Sequence, residues 1–204
     1  MENNTKFLQN YDHNFYNGGP LTFDIHTCED CTQKNKKYNK ENKGNRIPKE
    51  IINLGYIDIL YKGYRVNVTT TIMVCQFGFN KTSNNLTLQF TNYKTDSEMN
   101  SFFNFIQRLE HKQMEYIGLN ESDADLYIPQ IRYDKNGKYD PNLLIKVPFR
   151  ENSYQVDIKK KDSSVSITNI FKFSKLKCDI YIDKIWKFND KYICKWKIER
   201  ILII

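Results

Sequence analysis

The sequence predicts a mainly β fold: a small five-stranded antiparallel barrel with one inserted α-helix and extra hairpin and loop elaborations. Three observations lead there. The 204 residues include one alanine, Ala124, against 14 Tyr and 13 Phe, and Ile and Thr abound; that balance favours strands. After residue 50, apolar and polar residues alternate through most of the chain. Only one segment shows the three-and-four spacing of a buried helical stripe.

Residues 1–50 carry no sustained periodicity, and Gly18-Gly19-Pro20 would break any element there. They read as an irregular or partly extended, basic amino-terminal segment, with a flexible stretch over 33–49 closed by Pro48. Residues 51–204 read as the folded domain. Tyr56–Tyr61 and a long strand from Tyr64 to Phe77 flank Lys62-Gly63, a two-residue hairpin link. In the long strand Tyr64, Val66, Val68, Ile72 and Val74 share one face, and Phe77 and Phe79 fall on the other. Asn80–Asn85 is a turn cluster. Leu86, Leu88 and Phe90 then alternate with Thr87, Gln89 and Thr91 as a further strand.

Ser97 is placed to cap a helix running to about Ile117. Met99, Phe102, Phe103, Ile106, Leu109 and Gln113 form its buried stripe, and Gly118 its stop. Asn120–Asp125 reads as an acidic loop. Strand pieces resume at Tyr127–Tyr133, turn at Asp134-Lys-Asn-Gly137, and continue at Leu143–Val147 before Pro148. A polar stretch with Lys159-Lys160-Lys161 exposed follows, with a turn at Asp162-Ser163-Ser164. The last segment is a long hairpin. Cys178, Ile180, Ile182, Trp186 and Phe188 face one way before the Asn189-Asp190 turn. Tyr192, Cys194, Trp196, Ile198 and Leu202 do so after it, with Lys191, Lys195, Lys197 and Glu199 behind them. Five to seven strands, one helix and no βαβ rhythm fit a barrel of OB type.

Hydrophobic residues make up 40% of the chain, enough for a core, and the formal net charge is +7. Residues 150–204 hold thirteen basic and seven acidic groups, so the excess is mainly carboxy-terminal. A second basic run, Lys34, Lys36, Lys37, Lys40, Lys43, Arg46 and Lys49, is opposed by Glu41 alone. Clustered cations attract polyanions, nucleic acid or anionic lipid. The polar start has no signal peptide and no apolar run reaches the ~18 residues of a membrane span, so an intracellular setting with reduced thiols is expected.

Cys28 and Cys31, next to His26, have the spacing of half a zinc site, but no second Cys/His pair follows at suitable spacing and His13 could complete one only by folding back. Packing or surface thiols are expected instead, and no metal. Cys75, Cys178 and Cys194 read as small core residues. Catalytic signals are weak. The three histidines, His13, His26 and His111, sit in no catalytic pattern, and no phosphate loop, nucleophile elbow or metalloprotease helix occurs. Asp123 and Asp125 read as solvated loop acids. No enzyme, catalytic residue or cofactor is expected.

The strongest constellation interleaves cations with rings. Single-strand binders pair a cationic groove for phosphates with aromatic platforms for bases. Tyr61, Tyr64, Arg65, Phe77, Phe79, Tyr93, Arg150 and Tyr154 supply both near strands and turns, and Lys159, Lys160, Lys187, Lys195 and Lys197 add charge. Any one ring is more often core than platform. Trp186 and Trp196, on apolar faces, are assigned to the core, whereas Phe77 and Phe79 are placed to stack.

The carboxy-terminal stretch carries a resemblance. Leu143-Leu-Ile-Lys-Val-Pro148, then Cys178 to Arg200 with Ile-Trp at 185–186, a short turn and the Trp196-Lys197 pair, resembles the single-stranded-DNA-binding proteins of large nucleocytoplasmic DNA viruses. That group is similar to the single-stranded-DNA-binding replication proteins of short-tailed phages. The likeness covers residues 140–204 well, 51–130 in outline, and 1–50 not at all. It implies an OB fold and sequence-independent binding of single-stranded DNA in viral replication, recombination or repair. Expected partners are single-stranded DNA, with RNA as an alternative ligand, and viral replication proteins; a homodimer is allowed and a membrane is not expected. The implied location is the host cytoplasm, in a viral factory, or the nucleus. Phage-type relatives end in an acidic tail, whereas here no acid follows Glu199, so recruitment or dimerisation through such a tail is not expected. The alternative readings are a non-enzymatic viral structural or protein-interaction module, and an RNA-binding OB protein.

Overall fold

A computed structural model describes residues 21–27 and 54–204, apart from 62, 162 and 189; for 21–27, 54, 55, 121 and 188 it describes backbone alone. Cys28, Cys31, His13, the basic run over 33–49 and the boundary expected at residue 50 lie outside the described residues.

In chain order the strands are β1 (Leu21–Thr27), β2 (Leu54–Tyr61), β3 (Tyr64–Arg65), β4 (Asn67–Thr69), β5 (Met73–Cys75) and β6 (Asn85–Gln89). Helix α1 (Ser97–Tyr116) follows, then β7 (Tyr127–Ile128), β8 (Ile131–Arg132) and β9 (Asn142–Lys146). The chain continues through β10 (Phe149–Arg150), β11 (Ser153–Tyr154), β12 (Asp157–Lys160) and β13 (Ser163–Ser164) to the long β14 (Ser174–Phe188) and β15 (Lys191–Ile203).

Five of these positions close into a barrel. β14 pairs with β4 and β5, β5 with β6, β6 with β9, β9 with β15, and β15 with β14. All these pairings are antiparallel except that of β9 with β15, which is parallel. The result is the expected OB-type barrel with a single α-helix among the described residues. Its interior is filled by the alternating residues that the sequence marks, including Val66, Val68, Leu86, Leu88, Leu143, Ile145, Cys178, Ile180 and Ile198. Cys75 and Cys194 are buried beside them as expected. β1, inside the stretch read as irregular or partly extended, pairs along its length with β2, which joins β14 beyond the barrel.

The long strand expected from Tyr64 to Phe77 is broken. Thr70 interrupts it: its N–H donates to the Cys178 carbonyl at 2.8 Å, and its Oγ1 accepts from the Cys178 N–H at 3.0 Å. The side chain replaces a ladder partner, so the backbone turns a corner without stranding a buried polar group. Parity changes across that corner. Val66 and Val68 point inward before it and Met73 and Cys75 after it, so Ile72 is exposed rather than core, as is Tyr64 at the strand's start.

The terminal hairpin shows the same effect twice. Register shifts fall between Asp179 and Ile180 and between Ile182 and Ile185. A bulge turns the following side chains to the other face. On β15 the buried series passes from Ile198 to Ile201 and Ile203, leaving Leu202 outside. On β14 it passes from Ile182 to Ile185, so Trp186, expected in the core, is 40% exposed, while Trp196 is 2% exposed as expected.

α1 lies between barrel strands β6 and β9. Its whole expected stripe is buried. The cap is Asp96 rather than Ser97, its carboxylate accepting from the Met99 N–H at 2.9 Å. Gly118 follows the last turn at φ +73°, the left-handed stop that glycine adopts without strain. Glu110 accepts from the backbone N–H groups of Gln130 and Ile131, and Gln113 accepts from the Tyr127 hydroxyl at 2.6 Å. The helix is thereby pinned to β7 and β8, which pair with β15 and β9 respectively. The acidic stretch expected as a loop is a 3-10 helix, Glu121–Leu126, capped by Asn120.

Candidate nucleic-acid interface

With Ile180, Ile182, Trp196 and Ile198 buried, Tyr181, Asp183, Lys195 and Lys197 take the outer face of the hairpin. β2 and β3 stand beside that face, and a cleft of about 360 Å³ opens between them, lined by Arg65, Arg150, Tyr181, Asp183, Lys184 and Lys197. The Arg65 guanidinium carbon lies 3.9 Å from the Tyr181 ring centre. Its Nη2 meets Glu199 at 3.1 Å and its Nε donates to Asn67 at 3.0 Å. Lys197 pairs with Asp183 at 2.8 Å. Burial holds the Tyr181 phenol above its ordinary pKa against the nearby Arg65 charge, so the ring stays neutral. At the cleft's end Lys184 Nζ lies 3.2 Å from the Tyr56 ring centre and 5.6 Å from that of Trp186.

One side of the cleft leads to a cationic cluster. Parallel pairing sets Lys146 of β9 beside Lys197 of β15. Partial burial, then the charges of Lys195 and Lys197, lower the Lys146 pKa. Lys146 is tied to the Ser83 carbonyl at 2.6 Å. Arg150 and Lys195 form no ion pair with any described residue. Concentrated, under-neutralised positive charge favours an anionic ligand.

The β10–β11 hairpin joins this charge to a group of rings. Glu151 and Asn152 both have positive φ, 50° and 59°, which tightens the turn. Phe149 and Arg150 are consecutive in the hairpin, so Arg150 enters the cleft while Phe149 meets Tyr154 with ring centres 4.8 Å apart. Tyr154 meets Phe79 edge-on at 5.0 Å, and its hydroxyl donates to Asn84 at 3.3 Å. Rings and cations thus follow one another along a single rim: Phe79, Tyr154, Phe149, Arg150, then Arg65 on Tyr181.

Of the residues singled out in the sequence, Arg65, Phe79, Arg150, Tyr154, Lys195 and Lys197 gather at this rim. Tyr61 is buried, 8% exposed. Lys187 sits near the hairpin tip, opposite Tyr192 and 3.6 Å from Asp190. Lys159 and Lys160 pair with Leu202 and Ile203, roughly 15–20 Å along β15 from Lys197. Phe77 is 68% exposed on a separate loop. Tyr181, Lys184, Phe149 and Lys146 were not singled out. Tyr181 was legible, because it alternates with Ile180 and Ile182 and so shares the lysine face. Phe149 and Lys146 had no signal of their own; the hairpin fold and the parallel pairing recruit them.

Fold and site define an OB-type barrel that carries a cationic cleft bordered by aromatic rings. No protein-family model matches the chain, and no curated protein sequence matches it. Solved structures similar to it include the single-stranded DNA-binding protein from bacteriophage Enc34, at 9% identity and TM-score 0.47 over 78% of this chain and 87% of that one. Its complex with single-stranded DNA aligns at 10% and 0.47 over 79% and 93%, and its C-terminal truncation at 11% and 0.46 over 71% and 87%. The barrel assignment stands on the strand pairing itself. No described helix is long and apolar enough to cross a membrane.

Proposed function

We propose that this chain binds single-stranded nucleic acid, DNA in the first instance, without sequence preference and without catalysis. The observation that supports this most is the rim that runs from Phe79, Tyr154 and Phe149 through Arg150 to the Arg65–Tyr181 stack. Flat rings stack on any base, which makes binding tolerant of sequence, and cations beside them neutralise phosphates. A duplex hides its base faces, so rings at this rim favour single strands. Lys146, Lys195 and Lys197 serve as phosphate contacts and Lys184 and Trp186 extend the cleft.

Titration of oligo-dT against duplex DNA of equal length, followed by quenching of intrinsic fluorescence at two salt concentrations, tests the reading. The single strand binds preferentially, and with about four phosphate contacts its affinity falls roughly 50-fold between about 50 and 200 mM salt. Equal affinity for the duplex, or no binding at low salt, overturns it. A matched RNA oligomer separates a DNA binder from an RNA binder.

A role in viral replication, recombination or repair, alongside viral replication proteins in a host cytoplasmic factory or the nucleus, belongs to the same proposal and draws on the resemblance of residues 140–204. So does the division into an amino-terminal segment, 1–50, and a binding domain, 51–204, with β1 as the part of the former held by the sheet.

A further inference from the structure

A second group of rings lies outside the cleft. Phe77, Phe171 and Phe173 are 68%, 65% and 63% exposed. Each leaves most of a large apolar surface in water, where burial of such a ring is worth about 2 kcal/mol. Their positions are held firmly. The loop that follows β5 crosses the loop that precedes β14 so closely that a Cβ on Gly78 would meet the Ile170 carbonyl oxygen at 3.0 Å and the Lys172 nitrogen at 3.2 Å. Phe79 N–H donates to the Ile170 carbonyl at 3.3 Å, and Phe173 N–H to the Cys75 carbonyl at 2.7 Å. Phe173 has φ +66°, a conformation rarely found for a bulky residue. Strain of this kind persists where the surrounding structure imposes it, and it clusters at ligand sites.

The side chains of the segment that carries Phe171 and Phe173 bear charge of one sign. No acid occurs between Ser163 and Cys178. Lys172, Lys175 and Lys177 are exposed and form no ion pair with any described residue. Lys172 Nζ lies 4.8 Å from the Phe173 ring centre. Lys175 and Lys177 alternate with buried Leu176 and Cys178, so they point outward from β14 on the same face as Tyr181, roughly 20 and 13 Å from it along the strand. Between them, the Asp179 carboxylate is engaged by Arg200 at 3.4 Å and Thr69 at 2.6 Å. Exposed rings interleaved with unopposed cations suit a ligand with flat faces and a charged backbone. They suit a protein surface less well, because a cationic apolar patch of this size leaves its lysines to be desolvated.

We propose that Phe77, Phe171 and Phe173, with Lys172, Lys175 and Lys177, form a second stacking site that takes the bases and phosphates of the same single strand as it leaves the cleft along β14. This rests on the nucleic-acid reading above. It makes affinity depend on length: a short oligonucleotide fills the cleft alone, and a longer one spans both.

The test compares oligo-dT of about 5 and about 20 nucleotides on the full chain, its F171A/F173A variant and its K175E/K177E variant. All four positions are exposed, and circular dichroism checks that each variant is folded. Both variants bind the short oligomer like the parent and lose at least tenfold in affinity for the long one. Unchanged affinity for the long oligomer overturns the second site and leaves the first intact. Equal loss on both lengths overturns it as well, since the rings then belong to the cleft. Loss of a dimer on sedimentation with DNA affinity intact assigns the patch to contact between copies and overturns it too. A parent chain that binds neither oligomer defeats the nucleic-acid reading itself.

Discussion

The guanidinium carbon of Arg65 lies 3.9 Å from the centre of the Tyr181 ring, and Glu199 holds the same group at 3.1 Å. One face of the ring is therefore covered by the guanidinium. Bases stack on arginine planes as well as on rings. Lysine keeps the charge and lacks the plane. Arg65→Lys accordingly weakens oligo-dT binding severalfold at constant salt, measured by fluorescence quenching. Parent-like affinity would show that only the charge matters.

Arg150 differs from Arg65 in having no acidic partner among the described residues. It lies at the cleft's edge, exposed, on a two-stranded hairpin. Its removal costs the fold little and leaves one fewer phosphate contact. Arg150→Ala lowers affinity and reduces the slope of log affinity against log salt by about 0.7, whereas Arg150→Lys restores the slope. A slope unchanged in the alanine variant places the phosphates elsewhere.

Tyr154 is the centre of the ring group, in contact with both Phe79 and Phe149. Tyr154→Ala raises the dissociation constant by roughly 5- to 150-fold, the span of one base stack at 1–3 kcal/mol. Tyr154→Phe removes only the hydrogen bond to Asn84 and stays within about threefold. Equal losses in the two variants would make the hydroxyl, not the ring, the important group.

The two tryptophans separate core from surface. Trp196 is buried and lies 6.5 Å from Phe105 of the helix. Trp186 lies on the surface, 5.7 Å from Tyr56. Trp196→Ala costs about 3–5 kcal/mol, and Trp186→Ala costs less than about 1 kcal/mol. Urea unfolding monitored by circular dichroism distinguishes them. Comparable losses would return Trp186 to the core.

Glu110 gives stability a pH dependence. Burial lifts its carboxyl from 4.5 to about 7, against the two backbone N–H groups and Arg132. The folded chain then holds this proton more tightly than the unfolded chain. The stabilisation is complete below the unfolded value and is lost as pH rises through about 7, a difference of order 3 kcal/mol. Glu110→Gln keeps an oxygen for Gln130 and Ile131 and removes the titration. The variant's stability relative to the parent therefore rises from about pH 5 to about pH 8 in urea melts. A difference that does not vary with pH shows that the carboxyl is not raised.

Short-range pattern carried much of this protein. The helix stripe from Met99 to Gln113, the buried trio of Leu86, Leu88 and Phe90, and the apolar face of Tyr192, Cys194, Trp196 and Ile198 follow from periodicities of 3.6 and 2. Those periodicities belong to the local backbone, so the residues state them directly. The barrel class follows too, because strands of that number with one helix have few ways to bury their faces.

What alternation could not show is where it resets. The corner at Thr70, the shift between Ile182 and Ile185, and the bulge at Glu199 each turn the side chains that follow to the other face. For that reason Ile72, Trp186 and Leu202 lie outside. A bulge arises when two strands of unequal curvature must stay paired around a closed barrel, and that demand comes from the partner strand. The cleft has the same origin. Arg65, Arg150, Tyr181 and Lys197 lie on four separate strands, and Lys146 reaches them through a parallel pairing. Residue pattern was enough to say which residues share a face between one reset and the next, and that cations and rings are abundant. Which cations meet which rings was settled by closure of the barrel, a long-range event that sets the register bringing them together.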